Sequence, residues 1–223
     1  MTATNWCVNG RTGRLPQKKP LLVSACLAGI PCRYDGQART VPEIVALVRE
    51  GKAIPVCPEV LGGLSTPRPP AEIRGEGSGN AEGIGPGSLV LANVARVETE
   101  QGVDVTDAYR KGAAETLRIA RDVGVKLVVF KEKSPACGVH TVGDGSFRGR
   151  LRPGSGVATA LLRQNGIEVI NEDEFKATSP LGQSEGENRP DNTQLGGSGI
   201  REPVLRRAVA LTSEGGVVII VLF

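Results

Sequence analysis

Three short apolar runs end in a cysteine or lead to one, and this pattern constrains the fold more than any other feature. Leu21–Ala25 runs into Cys26, Ala53–Val56 runs into Cys57, and Leu127–Phe130 leads a few residues later to Cys137. A short apolar run closed by turn residues reads as a buried strand feeding a loop. After the first run the chain breaks at Gly29, Pro31 and Gly36, then starts a helix at Thr40-Val-Pro-Glu. Thr40 is the expected N-cap, and Pro42 suits a first turn. This helix is expected to run to about Glu50 and stop at Gly51, with Ile44, Val45, Leu47 and Val48 on its apolar face. Strand, helix and strand in this order predict a right-handed parallel crossover. If the three runs are neighbours in a parallel α/β sheet, their thiols converge on its carboxyl edge, where open α/β sheets bind ligands.

Further along, Thr106 is expected to cap a helix from Asp107 to about Val123, with Tyr109, Ala113, Leu117 and Ala120 on one stripe. Val157–Asn165 reads as another helix, and Ile167–Ile170 as a fourth strand. Pro58–Glu72 carries two glycines and four prolines, Pro58 included, and is expected to be an irregular loop. Such a long irregular loop is usually functional. Gly75–Gly87 is glycine-rich and reads as a mobile surface loop. Leu89–Glu98 with Val103–Val105 resembles a hairpin turning at Gln101-Gly102. Gly143–Gly149 is a turn-rich segment placed to close over the site. The expected organisation is a flexible leader over 1–20, one domain over 21–175 and a low-complexity tail over 176–223. The run VVIIVLF at the end is either an added strand or an exposed apolar tail.

Composition narrows the function. Lys and Arg total 27 against 24 Asp and Glu, a net charge of +3 that is too balanced to argue for nucleic acid. Aromatic residues make up 3% of the chain, too few for repeated base-stacking platforms, so a large RNA partner is not expected. Met1–Lys19 is polar and lacks the apolar core of a signal peptide, and no apolar stretch reaches the ~20 residues that cross a bilayer. A cytoplasmic setting follows, in which cysteines more often bind metal or do chemistry than form disulfides. No G-x-x-x-x-G-K-[ST] occurs, and the first strand is not followed by G-x-G-x-x-G, which sets nucleotide cofactors aside.

Cys26, Cys57 and Cys137 are the candidate ligands. Three soft sulfur donors suit zinc or an iron–sulfur centre better than a hard cation. Their spacing is not C-x-x-C, so neither a zinc ribbon nor a ferredoxin pattern applies. The alternative is three small hydrophobes buried at strand ends. Cys32 is a fourth ligand, a redox partner of Cys26, or a packing residue, and packing is the reading favoured here. Cys7 reads as incidental. Glu59 lies two residues past Cys57, and in extended chain alternation would put both on one side, where a carboxylate serves as a general base. Ser134 precedes Cys137 by three residues, as a hydrogen-bond donor to substrate or as a Ser-Pro turn. Arg33, Asp35 and Arg68 either bind a polar substrate or pair with one another. His140 is the single histidine, and a lone loop histidine is more often neither ligand nor proton shuttle.

VSACLAGIPCRYDG at 23–36, PVCPEVLGGLSTPRPPAEI at 55–73 and KSPACG at 133–138 resemble the thiouracil desulfidase family, long catalogued as a bacterial domain of unknown function. The resemblance covers about Leu21 to Asn171. It implies a Rossmann-like three-layer α/β fold with a mostly parallel sheet, holding a [4Fe-4S] cluster through Cys26, Cys57 and Cys137. The fourth iron then lacks a protein ligand and is open to the substrate's sulfur. The implied reaction is desulfuration of a thiolated pyrimidine base or nucleoside to uracil and hydrosulfide, without net redox change. The resemblance makes Glu59 the acid–base residue and Ser134 its substrate- or proton-handling partner, and leaves Cys32 outside the ligand set. Ala28 and Ala136 stand where bulkier or more polar residues are expected. No obligate protein partner is implied. Two other readings compete: a zinc- or cluster-binding module without catalysis, such as a sulfur carrier or sensor, and a redox protein using Cys26 and Cys32.

Overall fold

A computed structural model describes residues 19–75 and 85–178, together with the backbone of four short strands nearer the termini. Those four form two antiparallel hairpins: β1 (Asn5–Val8) with β2 (Arg11–Arg14), and β11 (Ala208–Leu211) with β12 (Ile219–Leu222). Apart from 19–20 and 176–178, the other residues of the expected leader and tail, and most of the glycine-rich segment at 75–87, lie outside the described residues. The chain divides into two compact units, Met1–Gln183 and Ser184–Phe223.

Four strands make the central sheet of the first unit: β3 (Leu21–Ser24), β4 (Ala53–Val56), β7 (Leu127–Phe130) and β10 (Glu168–Asn171). Their order is β10-β7-β3-β4, and every pairing is parallel. The apolar runs form strands because both faces of this sheet are covered, as all-parallel sheets require. Alternation then sorts the side chains. Leu22, Val56, Val128 and Phe130 face one core with Tyr109, Ala113, Leu117 and Ala120 of α4 (Thr106–Val123) and with Val157 and Leu162 of α5 (Val157–Gln164). Val23, Ala53 and Val129 face a second core with Ile44 of α1 (Pro42–Arg49). The result is a three-layer α/β unit.

The connections set the site. From β3 the chain passes through α1 to β4 on one side, then returns past β3 to β7 on the other. The boundary between β3 and β7 is therefore a topological switch point, where successive loops leave the sheet edge in opposite directions and open a crevice.

Several local expectations are revised. α1 begins at Pro42 with Val41 at its N-cap and no side-chain cap, so Thr40 does not cap it. Thr106 is not a cap either: its hydroxyl accepts from the Val97 N–H at 2.9 Å, while Asp104 accepts from the Thr106 N–H at 2.9 Å. Pro58–Glu72 is not wholly irregular. It opens with a short helix, α2 (Pro58–Leu61), and ends in β5 (Ala71–Arg74). The expected hairpin at 89–105 is shorter: its first part is α3 (Pro86–Leu91), and β6 (Arg96–Thr99) turns at Gln101-Gly102 back onto 103–105, with the Thr99 N–H donating to the Val103 carbonyl and the Val105 N–H to the Val97 carbonyl, both at 2.9 Å. β6 pairs along its length with β5 on its other side, and the contact with 103–105 is the single bridge Glu98 to Asp104 with its flanking hydrogen bonds. Two further strands, β8 (Thr141–Gly143) and β9 (Leu151–Pro153), form a hairpin after β7, and α6 (Glu172–Thr178) follows β10.

α2 lies directly against α4 through glycine. A methyl group at Gly112 would overlap the Pro58 carbonyl oxygen, and one at Gly62 would overlap that of Ala108. Alanine in place of glycine inside a helix normally adds about 1 kcal/mol of stability. At Gly112 the sign should reverse, because overpacking costs about 1–3 kcal/mol. Gly112→Ala is therefore expected to lower Tm, by about 2–4 °C per kcal/mol in a chain of this size. It should also lower whatever activity depends on Cys57 and Glu59, which flank Pro58. A variant with Tm equal to or above the parent's would refute this contact.

Candidate active site

The three candidate thiols leave the sheet at one edge. Cys26 sits in a 3-10 turn, Ala25–Ala28, directly after β3. The turn ends at Gly29, whose φ of +87° lies in the left-handed region that glycine adopts without strain. Cys57 is the extended N-cap residue of α2, one residue beyond β4. Cys137 lies in a tight turn after β7, closed by a 2.8 Å bond from the Gly138 N–H to the Ser134 carbonyl. Cys26, Cys57 and Cys137, together with Cys32, line one cavity of about 280 Å³. All four are free thiols, and all but Cys57 are buried.

Cys32 stands between two of the others. Interaction with the Cys32 thiol lowers the pKa of both Cys26 and Cys57, helped at Cys26 by the Lys131 ammonium and at Cys57 by a bond from the Val60 backbone. The same contacts, with Cys26 first, push the Cys32 thiol well up. Burial pushes Cys137 up, partly offset by the Ser24 hydroxyl. Among the described residues, no group of three or more His, Cys, Asp or Glu is gathered closely enough for a single metal ion. Neighbouring strands stand about 4.8 Å apart. Cys26, Cys57 and Cys137 follow three adjacent strands, β3, β4 and β7, and leave them at the same edge.

A carboxylate network forms the wall beside the thiols. Glu59 reaches the cavity because α2 begins at Pro58, not through alternation in an extended chain, which is what the sequence suggested. Its Oε2 accepts from Arg68 Nε at 2.8 Å and Nη2 at 2.6 Å. Its Oε1 accepts from the Ser134 hydroxyl at 3.3 Å. The Ser134 oxygen in turn accepts from the N–H groups of Ala136 at 3.2 Å and Cys137 at 3.1 Å. Ser134 thus holds the Cys137 turn and points its proton at Glu59. Burial, and then the Glu59 carboxylate, push the Tyr109 phenol well up, so it stays neutral beside Glu59.

The 2-thiouracil desulfurase family matches this chain over residues 21–174. The chain belongs to that family. A relative from Bacillus subtilis (strain 168), the uncharacterized protein YbbK, is 47% identical over 155 residues, covering 70% of this chain and 97% of the relative. A solved structure, that of the [4Fe-4S]-dependent thiouracil desulfidase TudS, is 41% identical with a TM-score of 0.61, covering 72% of this chain and 95% of that one.

Within this desulfurase-family fold, residues from the β8–β9 hairpin and β5 complete the outer wall. Gly143, Gly149, Arg150 and Leu151 line the cavity, as the turn-rich segment led one to expect. Glu72 fixes this turn: its Oε2 accepts from the Gly145 N–H at 2.8 Å and the Phe147 N–H at 3.1 Å. Lys131, Lys133 and Arg33 also face the cavity. Asp35 does not line it and pairs with Arg33 at 2.9 Å. His140 is outside the cavity lining, half exposed and paired with Glu174 at 3.1 Å.

Two site residues were missed in the sequence. Ser24 is 2% exposed, and its hydroxyl accepts from the Lys131 N–H at 2.9 Å, tying the ends of β3 and β7. A lone polar residue ending an apolar run was its signal. Tyr109 gave no signal, since it falls on the apolar stripe of α4.

Glu132 secures the loop that carries Ser134 and Cys137. Its carboxylate accepts from the N–H groups of Val139 at 3.2 Å, His140 at 3.1 Å and Thr141 at 2.6 Å, and from the Thr141 hydroxyl at 2.9 Å. Burial alone would raise this carboxyl, but these bonds outweigh it and hold the pKa below the usual glutamate value. A depressed carboxyl contributes stability above its unfolded pKa of about 4.3 and loses it as pH falls through the folded value. Glu132→Gln should therefore melt below the parent at neutral pH, and the gap should close in acid. A pH-independent gap would exclude this role.

Proposed function

We propose that this chain is a [4Fe-4S]-dependent desulfidase that converts a thiolated pyrimidine, such as 2-thiouracil, and water into uracil and hydrosulfide. The observation that carries the proposal is one cavity lined by three free thiols from neighbouring strands together with a carboxylate–hydroxyl pair. The family match and the [4Fe-4S]-dependent relative support it. The all-sulfur donor set fits a soft-metal centre such as an iron–sulfur cluster. Cys26, Cys57 and Cys137 would hold it. When bound, the cluster supplies a Lewis-acidic iron for the thiocarbonyl sulfur and for the sulfide that departs.

The chain's own residues supply the rest. Glu59 Oε1 is the proton acceptor for the attacking water, and the C–O bond forms as the C–S bond breaks. No electrons are gained or lost overall: the thiocarbonyl sulfur leaves as hydrosulfide and oxygen takes its place. Ser134 donates to Glu59 Oε1 and holds the Cys137 turn, so the base and a ligand loop keep a fixed separation. Tyr109, buried behind Glu59, keeps bulk water from that side. The cavity size suits a free base or nucleoside rather than a folded RNA. Reduced thiols suit a cytoplasmic setting, and among the described residues no helix is long and apolar enough to cross a membrane.

The test is anaerobic reconstitution followed by iron and sulfide quantification and a desulfuration assay on 2-thiouracil. Bound iron and inorganic sulfide, with uracil and hydrosulfide formed in equal amounts, are expected. A protein that takes up iron and sulfide but releases no hydrosulfide would point to a non-catalytic module.

A further inference from the structure

Arg68 is the most completely bonded side chain in the cavity wall, and its pattern of bonds separates two roles left open by the sequence. A guanidinium has five N–H donors and no acceptor. At Arg68 all five are engaged within the protein. Nε donates to Glu59 Oε2 at 2.8 Å. Nη2 donates to the same oxygen at 2.6 Å and to the Cys32 carbonyl at 3.1 Å. Nη1 donates to the Ser65 carbonyl at 3.0 Å and the Thr66 hydroxyl at 3.2 Å. The side chain is 6% exposed. No donor is left for a substrate, although the residue lines the cavity.

Both bonds to the carboxylate converge on Oε2 and leave Oε1 to Ser134 at 3.3 Å. We propose that Arg68 is a positioning residue: it fixes the Glu59 carboxylate by one oxygen so that the other is the atom presented to the reacting water. The same guanidinium ties that carboxylate to the Cys32 carbonyl, which also faces the Cys57 sulfur at 3.8 Å. Arg68 thereby sets the distance between the base and the loops that follow β3 and β4. Lysine cannot replace it, since a point charge on a flexible stem lacks the planar fork. This inference rests on the proposed desulfidase activity for its kinetic readout, but not for its structural one.

The experiment compares the reconstituted parent with Arg68→Met and Arg68→Lys. Both variants should bind iron and sulfide as the parent does. The kcat per cluster on 2-thiouracil should fall on the order of 100-fold in Arg68→Met, the cost of a displaced catalytic group. KM should stay within about threefold of the parent's, because no substrate contact is lost. Lysine should restore less than a tenth of the parent's kcat, a recovery of about tenfold at most over methionine. Crystals of either variant should show Glu59 Oε1 out of hydrogen-bond reach of the Ser134 hydroxyl. A KM that rises while kcat holds would overturn the inference and make Arg68 a substrate ligand. Unchanged kinetics, or a Glu59 still seated against Ser134, would overturn it too. If the parent itself does not act on 2-thiouracil, the functional proposal fails, while the position of Glu59 in the variant crystals still decides this one.

Discussion

Replacing Cys57 with alanine is expected to leave a chain that folds but no longer holds iron or releases hydrosulfide. Cys57 is the least buried of the three candidate ligands and stands at the first residue beyond β4, so removing its sulfur opens no core cavity. The cost falls on the cofactor. Losing an outer-shell partner of a metal ligand already costs about 10–100-fold in affinity, and losing a ligand thiolate should cost more. Iron per chain after anaerobic reconstitution should drop at least tenfold, with activity falling in parallel. Cys32→Ser, measured alongside, should keep its iron, because the family resemblance leaves Cys32 outside the ligand set. If Cys32→Ser loses the iron and Cys57→Ala keeps it, the ligand assignment is wrong.

Glu59→Gln is expected to keep the iron and lose the reaction. Glutamine has nearly the same shape, and its amide oxygen can still accept from Arg68, so the wall should hold. It cannot take a proton from water. General-base catalysis is worth about 10²–10⁴-fold, and kcat should fall by that factor with cluster content unchanged. Retained turnover in a fully loaded Glu59→Gln protein would remove Glu59 from the mechanism and shift attention to Ser134.

Much of this site was legible in the residues, for physical reasons that differ from one residue to the next. The three thiols were visible because each follows an apolar run, and an apolar run broken by glycine or proline has few other readings in a chain of this length. Their meeting at one edge followed from the strand–helix–strand order, since parallel strands share a carboxyl end. Glu59 was found for a mistaken reason. Alternation does not apply to it, because Pro58 starts a helical turn. Leu89–Leu91 was misread because three apolar residues fit a strand or a buried helix equally well, and Pro86 at the first helical position was the clue passed over. Arg68 was ambiguous because its role depends on four acceptors that only the folded loops bring to it. Gly112 carried no signal in the sequence, and its necessity shows only once Pro58 lies against it.

The switch point between β3 and β7 carries a consequence for biosynthesis. No two of Cys26, Cys57 and Cys137 share a strand or a turn, and all three come together only when β4, β3 and β7 have paired. A chain still emerging from the ribosome, with β7 unmade, offers at most two of the three sulfurs. On the proposed ligand set, the three-thiolate site is therefore complete only once β7 and the Cys137 turn have joined the sheet.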